Sequence, residues 1–210
     1  PESLDHWGGE EGKLRRQAIS HAINREEITD AIFQGTRTPA TDFTSPVLPG
    51  YDGEIAGNEV LDYDAERARE LWAQADEIAP FTGEFTLSYN SDGGHQAWVD
   101  AVTNSIRNTL GIEAVGSPYP DFKSLRDDVT GRTIQGAFRT GWQADYPSSG
   151  NFLGPLYGTG AGSNDGDYSN PEFDAKLAEA ARAGSTEDAA RIYNEAQEIL
   201  FQDLPAIPLW

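Results

Sequence analysis

Residues 85–115 read FTLSYNSDGGHQAWVDAVTNSIRNTLGIEAV. Phe85, Leu87 and Tyr89 alternate with polar neighbours, the period-two signature of a strand. Trp98, Val99, Val102, Ile106 and Leu110 then recur at helical spacing along one side, and Gly111 is the residue type that most easily ends a helix in a left-handed conformation. Ile112 to Val115 reads as a second strand. A strand, a covering helix and a further strand make a crossover, which places the two strands side by side in parallel.

Working outward, the same alternation continues. Phe122, Leu125 and Val129 mark a short helix after Pro120, and 134–140 reads as a third strand. Upstream, Leu14, Ala18, Ile19, Ala22 and Ile23, then Ile28, Ala31 and Ile32 after Asn24, give a helical pair ending at Gly35. Residues 36–59 carry Pro39, Pro46 and Pro49 with several Gly and read as irregular surface. A helix from about Asp64 places Leu71, Trp72, Ala75 and Ile78 on one face. Downstream, Ser169-Asn-Pro-Glu172 offers a cap, a Pro in the first turn and a Glu spaced for a capping box, and a second helix from near Ser185 carries the stripe Ile192, Tyr193, Ala196, Ile199 and Leu200. Residues 204–210 read as extended. The fold class expected is α/β, a mostly parallel sheet flanked by helices, with a helical pair at the start and helices near the end.

Composition excludes several functions. The 210 residues are 38% hydrophobic, enough for one sizeable core, and a single globular domain over 1–210 is the default. Thirty-five Asp and Glu against fifteen Lys and Arg give a net charge of −20, with no clustered basic face for a phosphate backbone, so no nucleic-acid partner is expected. With no Cys, disulfides, thiolate metal sites and a cysteine nucleophile are all excluded. No apolar run approaches the roughly 20 residues that cross a bilayer. The opening PESLDHWGGEEG lacks the basic and apolar regions of a secretory leader, and both ends of the chain read as cut.

Carboxylate pairs such as Asp127-Asp128 and Asp165-Asp167 are what an acidic composition produces by chance, and solvated charge explains them. The run from Asp165 lacks the glutamate that closes a calcium loop, and Gly158-Thr-Gly-Ala-Gly162 lacks the spacing of a dinucleotide fingerprint, so it reads as a mobile loop. Neither a metal nor a cofactor is expected. His6, His21 and His95 show no metal spacing. His95 stands at the start of a helix after a strand, where a ligand anion is one reading and a simple helix-start residue another. The segment Arg139-Thr-Gly-Trp142-Gln-Ala-Asp145-Tyr146-Pro147 puts a cation, an aromatic and a carboxylate within seven residues at the end of the third strand, the edge where open α/β sheets hold ligands. Read alone, it is equally a turn around a packed Trp.

Four segments in order resemble a known family, the extracellular solute-binding proteins of importers for oligopeptides, dipeptides, nickel and related solutes. They are Leu14-Arg-Arg-Gln-Ala-Ile-Ser-His-Ala-Ile-Asn-Arg25 with Phe33-Gln-Gly35 and Thr38-Pro-Ala40; Gly141-Trp-Gln-Ala-Asp-Tyr-Pro147 with Asn151-Phe-Leu153; Tyr168-Ser-Asn-Pro-Glu-Phe-Asp174; and Leu204-Pro-Ala-Ile-Pro-Leu-Trp210. The resemblance implies a periplasmic-binding-protein type II lobe, with 1–210 as the C-terminal lobe of a longer two-lobed protein whose N-terminal lobe and tail are absent. It implies capture of peptides or other small solutes between two lobes, with no enzymatic activity. The partners implied are an ABC permease and its ATPases, contact with the membrane is through a lipid anchor on the missing N-terminus, and the protein is a monomer of the periplasm or cell surface. By the same resemblance Asp145 takes a peptide's α-ammonium, Arg139 meets its C-terminus, His95 does likewise, and Trp142 and Tyr146 line the pocket. Two other readings stay open: a solute-sensing domain of a transcription regulator, and an acidic hydrolase whose nucleophile or acid–base pair the sequence does not place.

Overall fold

The structure, a computed structural model, describes residues 6–210; the first five residues of the acidic opening lie outside it. The described residues fall into two compact units. The first comprises residues up to Pro39, Asp62–Thr140 and Trp210, and the second Ala40–Leu61 and Gly141–Leu209.

The first unit holds the whole sheet. Its elements are helices α1 (Gly9–His21), α2 (Arg25–Phe33) and α3 (Ala65–Ile78), strand β1 (Phe85–Asn90), helix α4 (Gln96–Leu110), strand β2 (Ala114–Tyr119), helix α5 (Phe122–Thr130) and strand β3 (Ala137–Phe138). The strand order is β2-β1-β3, and both pairings are parallel. The apolar face of α4 closes over the sheet with Trp98, Val99, Val102 and Ile106 buried, and Gly111 ends the helix at φ 70° with its N–H on the Arg107 carbonyl. Asp121 caps α5 through Ser124 N, and Leu125 and Val129 bury its inner face.

Two strands differ from the sequence reading. Strand β2 begins and ends later than expected, because its register is set by β1, Phe85 facing Ala114 through to Asn90 facing Tyr119. Pro118 reads as a strand breaker, but β2 is an edge strand and a missing N–H on the outer side costs no ladder bond. Strand β3 is reduced to two residues. Gly136 turns the chain at φ 73°, and a side chain there would strike Thr86, 2.1 Å from its Oγ1. After β3 the ladder is extended only by Arg139 N donating to Ser88 O at 2.9 Å.

Between α1 and the end of α3 lies a buried charge. Arg15 is fully buried on α1, with Nε on Glu11 at 2.8 Å and Nη2 on Asp76 at 3.0 Å and on the Ala79 carbonyl at 2.7 Å. Its guanidinium carbon sits 4.5 Å over Trp72 and 5.1 Å over Phe81, so the remaining Nη1, which has no oxygen partner, faces aromatic rings. Trp7 joins the same group through Trp72, Phe81 and Phe85.

The second unit is helical: a short 3₁₀ helix (Asn58–Leu61), α6 (Gly150–Tyr157), α7 (Pro171–Ala180) and α8 (Thr186–Asp203). Phe43, Ile55, Leu153, Phe173, Ala196, Leu200, Phe201 and Leu204 form its core. Helix α6 is not foreseen from the sequence, because Gly154 and Pro155 interrupt its periodicity; Leu153, fully buried in that core, holds it. The cap of α7 is Asn170 rather than Ser169. Glu172 therefore occupies the second helical position instead of the third, and Asn170 Oδ1 itself accepts from Glu172 N and Phe173 N, so no capping box forms. The glycine-rich stretch after α6 is knit by buried Asn164, which donates to the carbonyls of Gly158 and Tyr168 and accepts from Tyr168 N. Residues 204–210 form no strand. Leu204 ends α8 at φ 46°, and Leu209 O accepts from Ala40 N.

Buried Gln197 joins α8 to the start of this unit, with Oε1 accepting from Phe43 N at 2.8 Å and Nε2 donating to Asp42 at 3.3 Å. Asp42 is buried without a cation partner among the described residues. Burial pushes its carboxyl above 3.8, while bonds from Thr44 and Gln197 pull the other way. The folded chain thus holds this proton more tightly than the unfolded one. The group's contribution to stability is present below pH 3.8 and is lost as pH rises through the folded value. Urea unfolding of wild type and Asp42→Asn across the acid range will show this component as a difference that flattens in the variant.

Candidate functional site

In the first unit the site is built on parallel strands. Because all three run the same way, the residues that follow them emerge on one edge of the sheet. Asn90, the last residue of β1, is buried, and its amide is fixed from both sides. Its Nδ2 donates to Asp92 Oδ1 at 2.7 Å, and its Oδ1 accepts from Arg139 Nη1 at 3.4 Å. Asp92 in turn accepts from Phe122 N at 3.3 Å, at the start of α5 after β2. One amide and one carboxylate thus tie together the ends of all three strands.

Arg139 is half-buried and forms no ion pair among the described residues; burial holds its guanidinium below the ordinary arginine value. Arg15, Arg67, Lys123, Lys176 and Arg191, by contrast, have carboxylate partners. His95 stands at the N-cap of α4 without capping it. Burial lowers its affinity for a proton, the nearby charge of Arg139 lowers it further, and Asp92 opposes both. Arg139 and His95 are therefore brought together on one edge, with Asn90 and Asp92 as their support.

The second unit carries the other three expected residues. Asp145 is exposed, and its carboxylate has no hydrogen bond or ion pair among the described residues. Its backbone N–H donates to Asn151 Oδ1 at 2.7 Å, and Asn151 is buried on α6, so the loop is anchored while the carboxylate stays open. Trp142 is half-buried, with its indole nitrogen buried and unpartnered. Tyr146 is 56% exposed.

Other candidates have structural roles. Asp128 accepts from the Tyr119 hydroxyl at 2.8 Å and from Thr133, and Asp127 pairs with Lys123. His21 holds the Asp62 carbonyl at 2.8 Å. No group of three or more metal-ligating side chains stands together, and no helix is long and apolar enough to cross a membrane, among the described residues. Sequence reading missed Asn90, Asp92 and Asn151 as supports. An Asn closing a strand and an Asn six residues after the loop aspartate are the only signals, and neither shows its partner without the fold.

Comparison with known proteins completes the assignment of class. The profile of the bacterial extracellular solute-binding proteins, family 5 Middle, matches residues 13–164, and the chain belongs to this family and is extracytoplasmic. Heme-binding protein A of Haemophilus influenzae is 28% identical over 92% of this chain and 35% of its own length. The periplasmic murein peptide-binding protein MppA of Escherichia coli is 28% identical over 93% and 36%, and its solved structure superposes with a TM-score of 0.83 at 25% identity, covering 96% of this chain and 40% of that one. DppA from Helicobacter pylori, solved in complex with the peptide STSA, gives a TM-score of 0.79 at 25% identity over 95% and 38%. The chain spans little more than a third of the length of the curated relatives it matches.

The Asn90 network predicts a stability effect. Asn90→Leu keeps the volume but removes the amide from Asp92 and Arg139, both of which water can reach, and the expected loss is about 0.5 to 1.5 kcal/mol. Urea unfolding followed by tryptophan fluorescence measures it.

Proposed function

We propose that this chain is the C-terminal lobe of the substrate-binding component of an ABC importer, and that it captures a peptide or related small solute in a cleft closed by a second lobe. The observation that carries the reading is the open, unpaired carboxylate of Asp145, anchored through its backbone in a loop that falls within the family match. A carboxylate of this kind forms a charge-assisted bond with a peptide's α-ammonium, and Trp142 and Tyr146 give apolar surface beside it. In the first unit, taken by itself, Arg139 and His95 supply donors for an acceptor group such as a carboxylate. Side-chain selectivity in such a site is loose, because the peptide ends and main chain carry most of the affinity. The relatives are named for binding murein peptide and heme, and none for a reaction. We therefore assign a binding role without catalysis, with a permease and its ATPases as partners, a lipid anchor on the segment before this chain, and a monomeric state.

In the full-length protein, Asp145→Ala weakens peptides with a free amino terminus by about 2 to 5 kcal/mol, as expected on removing one partner of a buried charge pair, and leaves N-acetylated peptides unchanged. Calorimetry with the two peptide series measures this. Equal loss in both series removes Asp145 from the ammonium site.

One lobe alone leaves the other face of a ligand in water, where each charge pair contributes about 1 kcal/mol or less. Association costs about 4 kcal/mol or more in lost freedom of motion. The 210-residue chain by itself therefore binds peptides no tighter than about millimolar, as read by NMR titration. Micromolar binding would place the whole site within this chain.

A further inference from the structure

Behind the edge that carries Arg139, the first unit has a row of aromatic side chains that a binding role does not by itself require. Trp98, one turn into α4, donates its indole N–H to His95 Nδ1 at 3.0 Å, and the two rings meet edge to face at 5.8 Å. Trp98 is buried and is held on its other side by Trp210, at 5.3 Å and 85°. Trp210 meets Phe33 at 5.1 Å, and the Arg37 guanidinium lies 5.5 Å over Phe33. The indole position is therefore fixed by packing and not by its bond to His95.

That bond decides where the histidine proton sits. An indole nitrogen only donates, so Nδ1 must present its lone pair, and the proton of the neutral ring is on Nε2. Nε2 has no hydrogen-bond partner among the described residues. The ring edge lies against Gly93, where a Cβ would fall 2.4 Å from Nε2, so the absence of a side chain there leaves room for the ring. Adding a proton to Nδ1 would set two donors against each other and break the Trp98 bond.

We propose that Trp98 is a positioning residue that locks His95 as the neutral Nε2–H tautomer, so that this edge offers a ligand one cation, Arg139, and one neutral donor, and selects a singly charged carboxylate. The proposal rests on the reading that Arg139 and His95 face the ligand. The charged groups acting on His95 are Arg139 after β3 and Asp92 after β1, and burial together with Arg139 outweighs Asp92. A phosphate dianion would bring its second charge toward Asp92 without a second cation to meet it.

The test uses full-length protein carrying nitrogen-labelled histidine. In the wild type, without ligand, His95 is expected to show a bare Nδ1 and a protonated Nε2 and to titrate below 6.5, the ordinary imidazole value. Affinity for carboxylate-ended peptides is expected to be flat to within about twofold between about pH 6 and 8. Trp98→Phe keeps a packing ring but deletes the N–H. It should mix the two tautomers, raise the His95 titration, and make the same peptides bind about threefold to tenfold tighter at about pH 6 than at pH 8. If the phenylalanine variant fails to fold, Gly93→Ala presses on the ring from the opposite side and on Asn90 Nδ2, 2.7 Å from the added Cβ; it should shift the His95 tautomer and weaken carboxylate-ended peptides, and a folded Gly93→Ala protein with an unchanged tautomer and weakened binding assigns the loss to the Asn90 support and overturns the lock. A proton on Nδ1 in the wild type, or a folded Trp98→Phe protein with unchanged tautomer and pH profile, overturns the lock. A bare Nδ1 combined with equal binding of carboxylate, amide and phosphate-ended peptides instead overturns the assignment of Arg139 and His95 to the ligand.

Discussion

Strand β1 pairs on both sides, and both neighbours run parallel to it. Parallel neighbours cannot be joined by a hairpin, so the chain must leave the sheet and return, which it does through α4 and then α5. Every return brings the next strand end to the same edge. Asn90, Asp92, Phe122 and Arg139 meet there although Asn90 and Arg139 are 49 residues apart in sequence. The meeting creates its own demand. A buried amide left unpaired is costly, so Asn90 needs both a donor and an acceptor, and Arg139 and Asp92 are those partners. The geometry that holds the cation in place is thus the solution to a burial problem in the sheet.

Charge sharpens the consequence. In a chain with 35 acidic and 15 basic residues, carboxylates are plentiful, yet none of them forms an ion pair with Arg139 among the described residues. Pairs such as Lys123 with Asp127 and Arg67 with Glu70 are exposed and contribute little to stability. Arg15 shows the other extreme, a buried guanidinium satisfied by two carboxylates, a carbonyl and two aromatic rings. Arg139 is neither exposed and paired nor buried and satisfied. Asp92, which shares the Asn90 amide with it, already accepts from Asn90 Nδ2 and Phe122 N. Asp145 in the second unit is the converse, a carboxylate without a partner on a loop whose backbone is fixed.

The sequence reading and the structure part company where local pattern and packing disagree. The elements with strong periodicity, α3, β1, α4 and α8, lie close to where their apolar spacing puts them. Helix α6 does not, because Gly154 and Pro155 erase its pattern and only the burial of Leu153 among Phe43, Phe173 and Leu200 makes it helical. The end of β2 was hidden by Gly116, Ser117 and Pro118, residues of a turn that an edge position tolerates in a strand. At the end of β1 the sequence shows a serine, an aspartate and two glycines, and nothing in that string says that Asp92 would be spoken for.

What the sequence by itself determined was the α/β class, the parallel crossover around β1, the helical pairs at either end and the family, because periodic burial and ordered signature segments are local properties of the chain. It also singled out Arg139, Trp142, Asp145, Tyr146 and His95 as residue types fit for a ligand. Only the tertiary structure decided which charges are already neutralised, that Asn90 and Asp92 support Arg139, that Asn151 anchors the Asp145 loop, and that Trp98 faces Nδ1 of His95. Hydrogen bonds and ion pairs depend on distances between residues far apart in the chain, and those distances exist only once the strands have been brought side by side.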